Sequence, residues 1–335
     1  MWDRVWELIE RAPSQSALRM HKLHLLAAAE WRARGRPIPE SVRADERLMA
    51  MMATAAPLLL GRIRAACPGR LVLMKGPEVA AAYPDPATRG YRDLDLLCDE
   101  PRAAQLALVA AGFVEFGDST YAHHLRPLVY PGLPLVIELH SQGNRPFWLD
   151  PPPTERLIES AVPSATGVPG ILAPAPAAHA LLLAGHAWAH QPLWRVIDLI
   201  DVAVLLSDCD RTSVDRLACA WGWERMWSTT LAAIEGLLAS SSGSPATRLW
   251  ARHLASVRER TVFEEHLAPI GGAIAALPPR RVPRAVAATL ALTAAPAPGE
   301  TWPDKLRRSG TAVRHAAMAG SRHHQQLGSG ERKGG

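Results

Sequence analysis

One short segment, Arg92–Cys98, constrains this chain more than any other. Its sequence RDLDLLC alternates polar and apolar residues with a period of two, which predicts a strand with two unlike faces. Asp93, Asp95 and Leu97 fall on one face; Leu94, Leu96 and Cys98 fall on the other. Two carboxylates on the same strand face are close enough to share one or two hard cations. An isolated D-x-D is also a common solvated strand end, so on these residues alone both readings stay open.

The surrounding pattern supplies a fold class. From Trp2 to Arg34 apolar residues such as Val5, Leu8, Ile9, Leu18, Leu23 and Leu26 recur at helical spacing, until RGRPIPES breaks the pattern. A second helix is predicted from Val42 to Ala66, ended by Cys67-Pro68-Gly69. The period then changes. Leu71–Met74 reads as a buried strand entering a tight turn at Gly76, Glu78–Tyr83 as a short helix, and PDPATRGYR as a loop. After the acidic strand, Glu100–Ala111 reads as a helix with Leu106 and Val109 on its buried side, and LPLVIELH as a strand with Val136, Glu138 and His140 on one face. The runs DPPPTE and SATGVPG mark a boundary, Ile171–Ala189 reads as a buried helix, and the pattern stays helical from Pro176. The expected fold is α+β: an N-terminal helical arm (1–66), a small mixed-sheet core (67–150), a helical domain (151–295) and a basic tail (296–335).

Composition narrows the class of partner. With 335 residues the chain is long enough for roughly two domains. At 48% hydrophobic and 21% charged residues, neither a disordered nor a membrane class is favoured. A net charge of +5 suits an acidic ligand such as a nucleotide or RNA, although much of the excess lies between Arg307 and Lys333. Cys67, Cys98, Cys209 and Cys219 show no metal-ligand spacing and read as reduced thiols, and the first residues lack the apolar run of a signal peptide; both point to the cytoplasm. The most apolar stretch, Ile171–Ala189, is interrupted by Pro174, Pro176, His179 and His186, so no membrane partner is expected.

The order of parts is informative: a strand, a Lys-Gly turn, a short helix, an Arg-bearing loop, the acidic strand, then a strand offering Glu138. Leu73-Met74-Lys75-Gly76, Tyr83-Pro84-Asp85-Pro86, Arg89, Arg92-Asp93-Leu94-Asp95-Leu96-Leu97 and Glu138-Leu139-His140 together resemble the polymerase-beta-like nucleotidyltransferase superfamily, most closely an uncharacterised bacterial branch of it. The resemblance is strong from Leu71 to Trp148 and looser through Asp201. It implies that Asp93, Asp95 and Glu138 are catalytic acids binding magnesium or manganese, with Glu138 helping to deprotonate an acceptor hydroxyl. It further implies transfer of a nucleoside monophosphate from an NTP to an unknown acceptor (a small molecule, peptide or protein), with nucleic acid less favoured. Divalent ions suit this chemistry because a pair about 3.5–4 Å apart neutralises a triphosphate and holds the attacking and leaving oxygens. This chain carries Lys75-Gly76 where most active members place Gly-Ser, so a catalytically degenerate binding module is the alternative.

Further residues carry two readings each. Lys75, Gly76 and Arg89 are the nucleotide-binding candidates: a point charge, a close backbone approach and a guanidinium fork for phosphate. A solvated turn lysine, a purely conformational glycine and a structural ion pair are their alternatives. His140 shares a face with Glu138 and is a candidate to orient the acceptor or shuttle a proton, or else a structural hydrogen-bonding histidine; Arg92 is a second phosphate cation or a partner of a neighbouring acid, and Tyr83 a base-stacking ring or a packed helix end. His123 and His124, before Arg126, are weaker acceptor candidates, and His186 with His190 has metal-compatible spacing but no evident third ligand. Asp198 and Asp201 either line the cleft from the helical domain or, the favoured reading, pair with Arg195 or Arg216, and the Trp188, Trp194, Trp221, Trp223 and Trp227 group is expected to serve mainly as core.

Overall fold

The computed structural model describes residues 1–117, 125–146, 148–239, 244–294, 296 and 301–307. His123, His124 and the tail beyond 307 lie outside the described residues, as does the side chain of His190. The N-terminal periodicity resolves into three short helices, α1 (Trp2–Glu10), α2 (Gln15–Met20) and α3 (His24–Ala33), followed by the long α4 (Glu40–Ala66). Ser14 caps α2 by accepting from the Ala17 amide at 3.1 Å, so the chain turns there instead of continuing as one helix.

Seven strands follow, with the short helices between them. These are β1 (Leu71–Leu73), α5 (Pro77–Ala80), β2 (Asp93–Cys98), α6 (Pro101–Ala110), β3 (Val114–Glu115), β4 (Leu128–Val129), β5 (Val136–His140), α7 (Thr154–Glu159), β6 (Val162–Pro163) and β7 (Ile171–Ala173). They form one mixed sheet in the order β3-β4-β5-β2-β1-β7-β6. The acidic strand β2 is central, antiparallel to β1 and parallel to β5 in a register that sets Asp95 against Glu138. The helical remainder is α8 (Pro176–His190), α9 (Val196–Leu206), α10 (Arg211–Trp221), α11 (Glu224–Leu238), α12 (Pro245–Leu249), α13 (Val262–Ala276) and α14 (Val282–Ala294). The fold is α+β.

The period of two in β2 divides two cores. Leu94, Leu96 and Cys98, with Leu71, Leu73, Ile137 and Leu139, pack against Leu59, Leu60 and Ile63 of α4. Leu97, with Val72 and Met74, packs against Leu157, Ile158, Ala178 and Leu182 of α7 and α8. A third, larger core unites α1–α3 with α8–α14 through Val5, Leu8, Leu26, Ile200, Trp223 and Trp227. Residues 1–66 are therefore shared between the sheet and the helical body.

Three sequence expectations need amendment. Ile171–Ala173 is not helical but a strand beside β1, because Pro174 and Pro176 prevent the helix from starting earlier, and Pro176 then occupies its first turn. The sheet thus draws on residues beyond the expected boundary at 150. In α6 the buried side is Ala104, Gln105 and Leu108, whereas Leu106 is 73% exposed and Val109 44%. Ala104 on the buried side accepts from the Cys67 thiol through its carbonyl at 3.7 Å, next to the end of α4. By length and composition α4 is the one described helix able to cross a membrane, yet its apolar side is packed on the sheet.

Buried histidines tie the halves together. His21 Nε2–H donates to the Arg258 carbonyl at 3.0 Å while its Nδ1 accepts from the Val196 amide at 3.2 Å. His253 stacks on it at 5.8 Å and donates from Nε2 to the Trp194 carbonyl at 2.9 Å. Burial lowers His21 to about 4 and His253 to about 3, so both rings are neutral when folded. The unfolded chain protonates them below about pH 6.5, so their contribution is full above that pH and is lost as the pH falls towards 4. The expected loss is on the order of 2–3 kcal/mol per ring. Urea midpoints measured from pH 7 to 4.5 should fall, and His253→Gln should make that pH slope shallower by about one proton; an unchanged slope would contradict the assignment.

Candidate active site

The turn after β1 sets the first functional side chain. Gly76 has φ 67° and ψ −125°, and a Cβ there would lie 2.8 Å from the Asp93 carbonyl oxygen, so only glycine fits. Its role in the structure is thus to let the turn close on β2, where the Met74 amide also donates to the Asp95 carbonyl at 2.9 Å. His179 of α8, lowered to about 4 by burial and hence neutral, donates to the Met74 carbonyl at 2.8 Å and fixes the strand end from the helical side.

Lys75, so placed, points inward. Its ammonium lies 2.8 Å from His186 Nε2 and 3.4 Å from Asp95 Oδ2. Burial alone would lower this ammonium, but the Asp95 and Asp93 carboxylates outweigh it and hold it raised. An ammonium only donates, so His186 Nε2 accepts and its proton sits on Nδ1, 3.0 Å from the Asn144 side-chain amide. The consistent amide orientation turns the Asn144 oxygen towards that N–H, which supplies a partner for an oxygen otherwise buried alone.

The acids converge on the same space. Asp95 is 2% exposed; its Oδ1 lies 2.9 Å from His140 Nε2, and its Oδ2 is buried without a hydrogen bond. Glu138 Oε2 lies 3.5 Å from the same imidazole nitrogen. Ligand atoms of Asp95, Glu138 and His140 all lie within 4.8 Å of one another. Asp93 is outside that trio but lines the same cleft of about 230 Å³, with Lys22, Lys75, Asn144, His186 and Asp198. The environments of the two aspartates diverge. Burial and the neighbouring Asp95 charge raise Asp93, whereas Lys75 and His140 overcome burial to hold Asp95 well below the usual carboxylate range. Burial opposes a charge on His140, yet its bonds to Asp95 and Glu138 keep it raised.

Arg89 and Tyr83 are engaged elsewhere. Arg89 gives Nε and Nη2 to Asp201 at 2.9 and 2.6 Å and Nη1 to the Gly90 carbonyl at 2.6 Å; Tyr83 donates to Asp201 at 2.6 Å and packs against Trp2. Asp201 thus pairs with Arg89, where the sequence suggested Arg195 or Arg216. Arg89 still lines the cleft, but its fork is occupied; Tyr83 is buried and is not among the cleft residues. Arg92 is exposed and faces an adjoining cavity. Sequence reasoning passed over Lys22 and Asn144 and weighed His186 only as a partner of His190. No local pattern marks Lys22, since only the packing of α2 and α3 brings it to the cleft.

An α+β sheet with acids from two parallel strands facing buried cations defines the class to which the sequence also assigns the chain. It belongs to the family described as uncharacterised nucleotidyltransferase, whose sequence model matches residues 14–239. That span runs from the cap of α2 to the end of α11 and includes every cleft residue named above. No curated protein and no solved structure matches the chain.

The Asp201 cluster gives a stability prediction. Asp201→Ala leaves the buried Arg89 guanidinium unpaired and should cost about 3–5 kcal/mol in urea unfolding. Adding Arg89→Met should recover part of that loss; a double variant no more stable than the single one would show that the ion pair is not the source.

Proposed function

We propose that this chain transfers a nucleoside monophosphate from an NTP to a nucleophile, most simply a hydroxyl, on a small molecule, peptide or protein. The acceptor oxygen forms a bond to the α-phosphorus, the bond from that phosphorus to the β-bridging oxygen breaks, and pyrophosphate leaves. The observation that carries the reading is the convergence of Asp95 and Glu138 from parallel strands, with Asp93 on the same face, in a cleft that also holds Lys22 and Lys75.

The residues fit a hard divalent ion. Asp95 Oδ2 is a buried carboxylate oxygen without a hydrogen bond, and the Glu138 carboxylate and the His140 imidazole lie with it, a set of two carboxylates and one imidazole that suits manganese as well as magnesium. Asp95 and Glu138 would hold such an ion, with Asp93 at the mouth; bound there, it supplies charge neutralisation for the polyphosphate. Glu138 is the candidate to take the acceptor proton, and His140 positions both carboxylates through Nε2. Lys75 offsets negative charge beside them, and the Arg89–Asp201 pair stiffens the cleft wall.

One observation favours a second reading, a binding module without turnover: the Lys75 ammonium already rests against Asp95, at the turn where active relatives carry Gly-Ser. A single experiment separates the two. The purified chain is incubated with each α-labelled NTP, magnesium or manganese, and fractionated lysate, beside Asp95→Asn and Glu138→Gln. Turnover predicts label transfer that falls at least about 100-fold in both variants, the scale of losing a group that stabilises the transition state. Divalent-dependent NTP binding with no labelled product would select the binding module, and equal transfer by all three proteins would falsify the site.

A further inference from the structure

The cleft does not end at Lys22 and Asp93. Both residues also line a second, open cavity of about 390 Å³, bordered by α2, α3, α4 and the Gly90–Arg92 segment. That volume lies in the range of small-molecule sites, about 300–1,000 Å³. Its chemistry differs from that of the acid cleft. Leu48, Met49 and Tyr91 give it an apolar side, and Arg19, Lys22 and Arg92 give it cations. Arg19 is ion-paired to Asp45. Lys22 and Arg92 make no side-chain hydrogen bond or ion pair among the described residues.

The way Lys22 arrives there is independent evidence of a built site. The Leu23 amide bonds back to the Leu18 carbonyl at 2.7 Å and the Lys22 amide to the Arg19 carbonyl at 2.9 Å, the pair of bonds that closes a helix in a Schellman motif. Lys22 occupies its left-handed position with φ 57°, a seat that glycine normally takes. The chain thus accepts backbone strain to present a lysine where the two cavities join, and such strain clusters at ligand sites.

We propose that this second cavity seats the acceptor, and that the acceptor carries an anionic group, carboxylate or phosphate, on an apolar body. The proposal rests on the nucleotidyl-transfer reading. A two-substrate transfer must bring the nucleophile and the α-phosphorus together at one set of carboxylates, so both seats must open onto the same acid. Asp93 is the acid that lines both. The polyphosphate, charged along its length, suits the polar cleft, whereas a lining that combines Leu48, Met49 and Tyr91 with Lys22 and Arg92 suits a ligand that is charged at one end only.

The test uses the full chain and defined probes. Benzoate and phenyl phosphate are titrated by calorimetry without divalent ions, with benzyl alcohol and inorganic phosphate as the apolar-only and anion-only controls. At least one aryl anion should bind at least tenfold more tightly than either control, and the two anions together distinguish a carboxylate from a phosphate seat. Arg92→Glu, at an exposed position, should weaken that binding at least tenfold, and Arg92→Lys should restore most of it. Leu48→Trp, at a half-buried wall position, should abolish it by filling the cavity. ATP binding with magnesium should stay within about threefold in all three variants. Aryl-anion binding unaffected by Arg92→Glu and Leu48→Trp, or absent at millimolar concentration, overturns the proposal. So does ATP binding that falls in parallel with the aryl anion, since the cavity would then belong to the nucleotide. If no protein binds ATP while the aryl anion behaves as expected, the nucleotidyl-transfer reading fails and the ligand class of the cavity stands.

Discussion

A carboxylate buried to 2% exposure in the centre of a sheet is the constraint around which this molecule is arranged. Removing an ion of this kind from water costs several kcal/mol unless neighbours compensate. Asp95 receives two compensations from opposite sides: the His140 imidazole at 2.9 Å and the Lys75 ammonium at 3.4 Å. Each depends on a backbone feature. The parallel register that sets Asp95 against Glu138 brings His140 in from two residues further on, and the turn that only Gly76 can make directs Lys75 inward. His186, held by Asn144, then keeps the lysine from swinging out. Disturbing any one of these leaves a buried charge short of a partner.

The helical half completes the sheet's electrostatics as well as covering it. Asp201 projects from α9, whose residues are apolar but for it and Asp198, and is tolerated because it accepts from both Arg89 and Tyr83, on the segment between β1 and β2. Bonds from His179 to Met74 and from the Trp223 indole to the Asp150 carbonyl, 3.1 Å, cross between the same regions. Where α8 runs beside α11, a Cβ on Gly185 would lie 2.6 Å from the Trp223 ring, so the close approach depends on glycine. These directional contacts fix the distance between His186 on α8 and the acids on the strands, which apolar packing alone would leave less specified.

Much of the acid site was legible because its information is local. The alternation of Arg92–Cys98 and of Val136–His140 set the strand faces, and the Lys75–Gly76 turn followed from a strand running into glycine. What escaped was long-range. Asn144 meets His186 across 42 residues of sequence and Arg89 meets Asp201 across 112, and Lys22 reaches the cleft from the N-terminal helices, so none of these can be read before the segments have packed. In α6 the sequence reading turns the helix to the wrong face: Leu106 and Val109 are outside, and Leu108, equally large, is buried with Ala104 and Gln105. At Ile171–Ala173 apolar character was read correctly but its period was not, since three residues before a proline are too few to distinguish a strand from a helix.

Asp93 and Asp95 show how two identical side chains on one strand acquire different physical roles. Their spacing puts them on one face, but the sheet is wider and better covered around Asp95, whose charge is fixed by an imidazole and an ammonium. Asp93, at the strand's beginning, is half-buried, lies outside the tight trio and borders both cavities. Desolvation and the fixed charge of Asp95 both act to raise it, so a proton is held more readily there than at its neighbour. The divergence follows from position along β2: the inner carboxylate meets His140 and Lys75, and the outer one opens onto both cavities.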